Sequence, residues 1–278
     1  MQKKSLEISC YVCGAGAFGV FFRWLQDQMA FNEAGLSEKS VFNFLVPLLI
    51  LAAAMLFNRI IEQAKIERLY IPTDYCQALK NGGRLFAAAR WVCGGVMAAG
   101  GVILIATCET DQDARLLVIL ACLAIASGIA YPLLLGSAND KYGKLRHPTL
   151  CCIGATFPIL LFAMWLIISY KKNALNSVVW SYLIEMLTII VALLAFFRAA
   201  GFAFGAVKTW RSFGTIMAGA MLCIMSLADE KYMGMHIIML GAAMQLVMYE
   251  WVLVMNMLKK QPKQKEEKVY RDGFERLK

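Results

Sequence analysis

Leu116-Leu-Val-Ile-Leu-Ala-Cys-Leu-Ala-Ile-Ala-Ser-Gly-Ile-Ala-Tyr-Pro-Leu-Leu-Leu135 contains no charged side chain. A helix rises 1.5 Å per residue, so this run reaches about 30 Å, the thickness of a bilayer's hydrocarbon core. Seven further mainly apolar runs flank it, at 8–29, 41–61, 86–108, 149–170, 178–200, 213–228 and 235–258, some with a charge inside them. The pattern predicts an all-α, polytopic integral membrane protein built as an eight-helix transmembrane bundle.

The composition agrees. Hydrophobic residues make up 60% of the 278 residues and charged residues 17%, against roughly 45–50% and 25% in soluble domains. So much evenly spread apolar surface excludes a largely disordered chain. Size excludes a disulfide-stapled miniature domain, and the lack of sustained heptads excludes a coiled coil. Two lysines precede the first run and no small-residue cleavage site follows it, so that run is expected to remain as a span.

Charges between the runs predict which way the chain sits. Lys and Arg gather in cytoplasmic loops. Lys3 and Lys4 lie before the first run, and Arg59, Lys65, Arg68, Lys80 and Arg84 follow the second. Lys141, Lys144 and Arg146 follow the fourth, Arg198, Lys208 and Arg211 flank the sixth, and a basic tail ends the chain. The alternate loops are acidic, with Asp27, Glu33 and Glu38, then Glu109, Asp111 and Asp113, then Asp229 and Glu230; only Lys171-Lys172 runs against the trend. Both termini are therefore expected in the cytoplasm, with the bundle in a plasma or inner membrane. The net charge of +9 reads as topology plus tail rather than as a nucleic-acid footprint.

Residues 1–258 form the expected transmembrane domain and 259–278 the basic tail, which could hold anionic lipid or simply fix orientation. Val41-Phe-Asn-Phe-Leu-Val resembles Val179-Trp-Ser-Tyr-Leu-Ile, each leading to an arginine (Arg59, Arg198). This raises a four-plus-four internal repeat, with halves 8–135 and 149–258. The long connection 59–84 is expected to extend the second helix and then turn at Asn81-Gly82-Gly83. Glycine and alanine clusters around Gly94-Gly95, Gly100-Gly101, Ala195, Ala199, Gly214 and Gly219 read as close-packing faces.

Several motifs offer chemistry. Gly14-Ala-Gly16-Ala-Phe-Gly19 has dinucleotide-site spacing but opens a membrane helix rather than following a strand, so it reads as packing. Cys10-Tyr-Val-Cys13, with Cys76, Cys93, Cys151 and Cys152 toward the same side, offers thiol or metal chemistry or plain apolar filling. Histidine occurs only at positions 147 and 236, at opposite ends of the membrane, which argues against a bis-histidine haem. Met217, Met221 and Met225 recur at helical spacing beside Cys223, a soft-ligand stripe suited to Cu(I) or an ordinary apolar face. No cofactor is expected.

The expensive residues are the intramembrane charges Arg23, Arg90, Glu185 and Glu250, with Gln245 as polar companion. A charge at mid-bilayer costs at least about 2.5–3.5 kcal/mol, so such groups face the bundle interior and pair. Matching depths predict Arg23 with Glu185, and Glu250 with Arg90 or Arg198. The leading expectation is a transporter or permease that carries a small solute or protons along these residues. The alternatives are a membrane anchor or accessory subunit of a larger complex, with a partner subunit or a second copy, and an intramembrane enzyme acting on a lipid or thiol.

Overall fold

The computed structural model describes residues 2–29, 42–67, 69, 71–72, 74–81, 83–108, 114–138, 148–174, 179–206, 208–229 and 231–258. Eight of its helices are long and apolar enough to cross a membrane. In chain order these are α1 (Gln2–Met29), α2 (Phe42–Ile66), α4 (Arg84–Thr107), α5 (Ala114–Ser137), α6 (Pro148–Asn173), α7 (Val179–Ala203), α8 (Thr209–Met225) and α9 (Met233–Met257); α3 (Tyr75–Leu79) is a short helix between α2 and α4. The chain is a multi-pass helical membrane protein. Hydrocarbon offers backbone amides no partner, so a spanning segment must bond within itself, and the helix does this. The tail at 259–278 and the 139–147 loop lie outside the described residues.

The termini of α1 and α9 share one side of the bundle, hereafter the termini side. Lys4 Nζ sits 2.8 Å from Glu67 just beyond α2, and Ser5 Oγ donates to the Trp251 carbonyl of α9 at 3.3 Å. On the far side, α1 meets the start of α2 through Gln26 and Asn43.

α9 is the most enclosed span and α2 the least, with 72% and 17% of their apolar windows buried. α9 lies against α4 through its glycines. A Cβ on Gly241 would stand 2.7 Å from the Met97 Cα, and one on Gly234 2.6 Å from the Leu104 Cα. The seven-residue spacing is the same on both helices, so an antiparallel pair repeats its contact every two turns. α4 turns another face to α5, where Gly94 meets the Gly128 carbonyl and Gly101 the Ala121 carbonyl. Gly95 faces open space. In the nucleotide-like motif, Gly16 meets Ile224 and Gly19 meets Met225, both from α8, while Gly14 meets nothing.

The connection 59–84 does more than extend α2. Its second part folds back as α3, with Tyr75, Cys76, Ala78 and Leu79 buried. Tyr75 donates to the Leu134 carbonyl at 2.7 Å, and Asn256 of α9 donates to the Ala78 and Lys80 carbonyls at 2.7 and 3.0 Å. These bonds satisfy carbonyls that helix ends leave without an intrahelical partner. Gly83 enters α4 at φ +118°, where a side chain would be strained.

Candidate functional site

The buried polar groups form three groups at successive depths. The first lies on the far side. Arg23 is six residues before the end of α1, about 9 Å along it. Its Nε donates to Asp229 Oδ1 at 2.7 Å, and its Nη1 donates to Gln26 Oε1 at 2.7 Å. Gln26 passes the chain on to Asn43 Oδ1 at 3.0 Å. Lys231 Nζ reaches Asp229 Oδ2 at 3.1 Å and the Ser226 carbonyl at 2.6 Å, while Ser226 Oγ donates to Asp229 Oδ2 at 2.9 Å. Burial alone would raise the Asp229 carboxyl, but Lys231 and Arg23, with hydrogen bonds from Arg23 and Ser226, outweigh it and hold the group below the ordinary aspartate value.

Glu185 borders this cluster from α7. Its charged neighbours are Lys231, Asp229 and Lys172, and the Trp165 indole lies beside it. The indole N–H of Trp165, which is fully buried, makes no well-aligned hydrogen bond among the described residues, but it lies close enough to the Glu185 carboxyl to act on it as a donor. The expected Arg23–Glu185 pair is therefore replaced by Arg23–Asp229. Asp229 sits in the short α8–α9 turn and reads as a loop charge in the sequence, but the turn dips inward beside the 3₁₀ residues Ser226–Ala228.

The second group sits at mid-depth. Gln245 is the central residue of α9. Its Nε2 donates to Met97 Sδ at 3.3 Å, and Oε1 has no partner among the described residues. Tyr131 of α5 donates to the Gln245 carbonyl at 3.2 Å and stands edge-on to Tyr249, with ring centroids 5.2 Å apart. Ser127, one turn from Tyr131 on α5, is buried and its Oγ is also without a partner.

The third group lies toward the termini side. Glu250 is fully buried, seven residues before the end of α9, about 10 Å along it. Ser9 of α1 donates to its Oε2 at 2.6 Å, and Oε1 has no partner among the described residues. The expected ion pair with Arg90 or Arg198 does not form. Arg90 instead spreads over Gly136 of α5, where an added Cβ would lie 3.2 Å from its Nη1. Arg198 Nε is buried with no partner among the described residues. Similar positions along their helices do not bring these residues together, because they face different neighbours around the bundle.

Of the remaining motifs, the methionine stripe falls into packing positions, whereas Cys10 and Cys13 are exposed. Met217, Met221 and Cys223 belong to the central apolar core, whereas Met225 packs with Val46, Ile184 and Leu222. The methionine stripe is thus divided between two clusters. The nine cysteines are free thiols, and among the described residues no group of three or more His, Cys, Asp or Glu is placed to hold a metal ion. Cys151 shares a 3.2 Å contact with Ser137 Oγ.

The chain can thus hold charge in two ways. The far-side cluster sets Arg23 and Lys231 against Asp229, with Glu185 at its border. Glu250 has one hydroxyl donor and, among the described residues, no cation, so its charge would be met by a proton or by a cation arriving from outside. Comparison with known protein families, curated proteins and solved structures finds no match to this chain.

Proposed function

We propose that the protein is a membrane carrier for protons or a small polar solute, with both termini in the cytoplasm of a plasma or inner membrane. The observation that carries this reading is Glu250, a fully buried carboxyl with one free oxygen and no basic partner among the described residues. Natural proteins leave few buried polar atoms unsatisfied, and such exceptions call for a role. An ionisable residue inside a membrane marks a transport or proton path by default.

Glu250 is the acceptor on the termini side in this reading. Gln245 and Ser127 offer unpaired oxygens at mid-depth, and the Trp165 indole lies against Glu185 on the far side. Arg23 does not carry the solute. Its ion pair with Asp229 fixes the end of α1 and holds the cation Lys231 beside Glu185. Arg90 leaves the path altogether.

The test uses purified protein in vesicles that trap a pH-sensitive dye, with an imposed pH gradient and a potassium diffusion potential. Wild type is expected to collapse the gradient faster than empty vesicles, and Glu250→Gln is expected to remove at least tenfold of the excess rate. A wild-type rate equal to that of empty vesicles, or an unchanged rate in Glu250→Gln, overturns the proton reading.

Docking of a partner subunit is the second reading, and α2 favours it. α2 packs mainly on α1 and α8 and leaves Leu48, Leu51 and Met55 exposed. Stoichiometric co-purification of another chain, lost on Leu48→Ala/Leu51→Ala/Met55→Ala substitution, would support it; a lone chain in mild detergent counts against it.

A further inference from the structure

A cleft of about 540 Å³ lies between α5 and α6, lined by Ala126, Ile129, Leu133, Ser137, Cys151 and Gly154 among others. Its walls are almost wholly apolar, and Leu133, Ile129 and Ile153 are exposed along it. On α5 it runs from Ala126 to Ser137, which at 1.5 Å per residue is about 17 Å. That is close to half of a roughly 30 Å hydrocarbon core. The cleft therefore occupies one leaflet, the one on the termini side, and closes near mid-bilayer. A spanning helix from another chain would need both leaflets; a single acyl chain needs one.

A cation stands at the headgroup end. Arg90 of α4 lays its guanidinium over Gly136, which has no side chain to exclude it. Arg90 Nε is buried without a partner, and the residue makes no ion pair among the described residues. At 100° per residue, Gly136 and Ile129 fall within about 20° of each other on α5. Ile129 and Ser137 line the cleft, so the guanidinium over Gly136 lies on the flank of α5 beside its termini-side end, next to the lining rather than within it. Arg90 is six residues into α4, about 9 Å from its start, a depth from which arginine reaches the headgroup layer.

We propose that Arg90 and the α5–α6 cleft form a binding site for one phospholipid, its phosphate on the Arg90 guanidinium and one acyl chain in the cleft. Guanidinium matches a phosphate with paired N–H donors. A lipid without a headgroup ammonium is preferred, because phosphatidylcholine partly neutralises its own phosphate. This site is separate from the Glu250 path and stands or falls without it.

The full chain is purified in detergent, exchanged with equal dioleoyl phosphatidylglycerol and dioleoyl phosphatidylcholine, washed, and examined by native mass spectrometry. Wild type is expected to retain one phosphatidylglycerol with at least tenfold preference over phosphatidylcholine. Arg90→Gln is expected to lower retained phosphatidylglycerol at least fivefold, and Arg90→Lys less so. Ala126→Trp, which fills the deep end of the cleft, is expected to reduce both lipids, while Lys65→Gln, an equal charge loss on the same side, leaves retention unchanged. Wild-type retention in Arg90→Gln overturns the headgroup assignment. Unchanged lipid in Ala126→Trp, accompanied by an altered oligomeric state, overturns the acyl-chain assignment in favour of a second copy in the cleft.

Discussion

Arg23 of α1 and Asp229 of the α8–α9 turn form an ion pair of 2.7 Å with side chains only 4% and 7% exposed. Lys231 shares the same carboxylate, and its side chain is 2% exposed. Two cations thus lean on one anion away from water, and the anion holds the far ends of α1, α8 and α9 together. Removing one partner of a buried pair leaves the other charge uncompensated, which costs about 3–5 kcal/mol. Asp229→Asn is therefore expected to lower stability by about 3 kcal/mol or more in detergent unfolding. Arg23→Leu combined with Asp229→Leu is expected to cost less than the sum of the single substitutions. Additive losses would show that the pair contributes no coupling.

The same carboxyl sets an acid limit. Asp229 is held below its ordinary value of 3.8 in the folded chain, because Lys231 and Arg23 outweigh burial. A depressed acid contributes stability that is present in full above its unfolded value and is lost as pH falls through the folded one. The stability gap between wild type and Asp229→Asn is expected to stay constant from neutral pH down to about 4 and to narrow below it. Thermal unfolding of both proteins across that range measures it; a gap that already narrows near pH 6 would contradict the ordering of the two values.

Eight spans were legible in the sequence because bilayer thickness imposes a length on every crossing, and apolar runs of that length are rare otherwise. The 59–84 connection was half legible: its helical start continues α2, but α3 is five residues long, too short for any periodicity to announce it. Glu250 and Arg23 stood out as charges within apolar runs. Their partners did not. Ser9 looks like an ordinary small residue in a span, and Asp229 looks like a loop acid, since sequence gives depth along a helix but not the angle it presents to neighbours. Trp165 reads as an apolar side chain, and only the fold shows its indole against Glu185.

Glycine positions on α4 and α9 separate packing from tolerance. A Cβ on Gly241 would press on the Met97 backbone at 2.7 Å, whereas one on Gly95 would meet nothing within 4 Å. Backbone cannot retreat as a flexible side chain can. Gly241→Leu is expected to part α4 from α9 and to abolish a monodisperse protein in size-exclusion chromatography. Gly95→Leu is expected to express and elute as wild type, with stability changed by less than about 1 kcal/mol, the gain from replacing a mid-helix glycine. Equal tolerance of both would mean that α4 and α9 are not in this register.

Tyr75 tests whether α3 belongs to the bundle. Its hydroxyl donates to the Leu134 carbonyl at 2.7 Å, and burial, then nearby Tyr249, pushes the phenol well above the ordinary tyrosine range. The carbonyl also accepts from Ser137 Oγ at 2.7 Å, so losing Tyr75 leaves it partly satisfied. Tyr75→Phe is expected to cost only about 0.5–1.5 kcal/mol, the net worth of one hydrogen bond. Tyr75→Ala empties a buried aromatic position and is expected to cost about 3–5 kcal/mol, and to open the 69–83 connection to protease before the spans unfold. Because the folded phenol stays protonated while the unfolded one ionises near about 10, its contribution to stability is present in full below that pH and is lost progressively as pH rises above it. The ultraviolet titration of wild type minus Tyr75→Phe is expected to show one tyrosine that does not ionise near pH 10. A difference spectrum titrating at the ordinary value would place α3 outside the bundle, in contact with water.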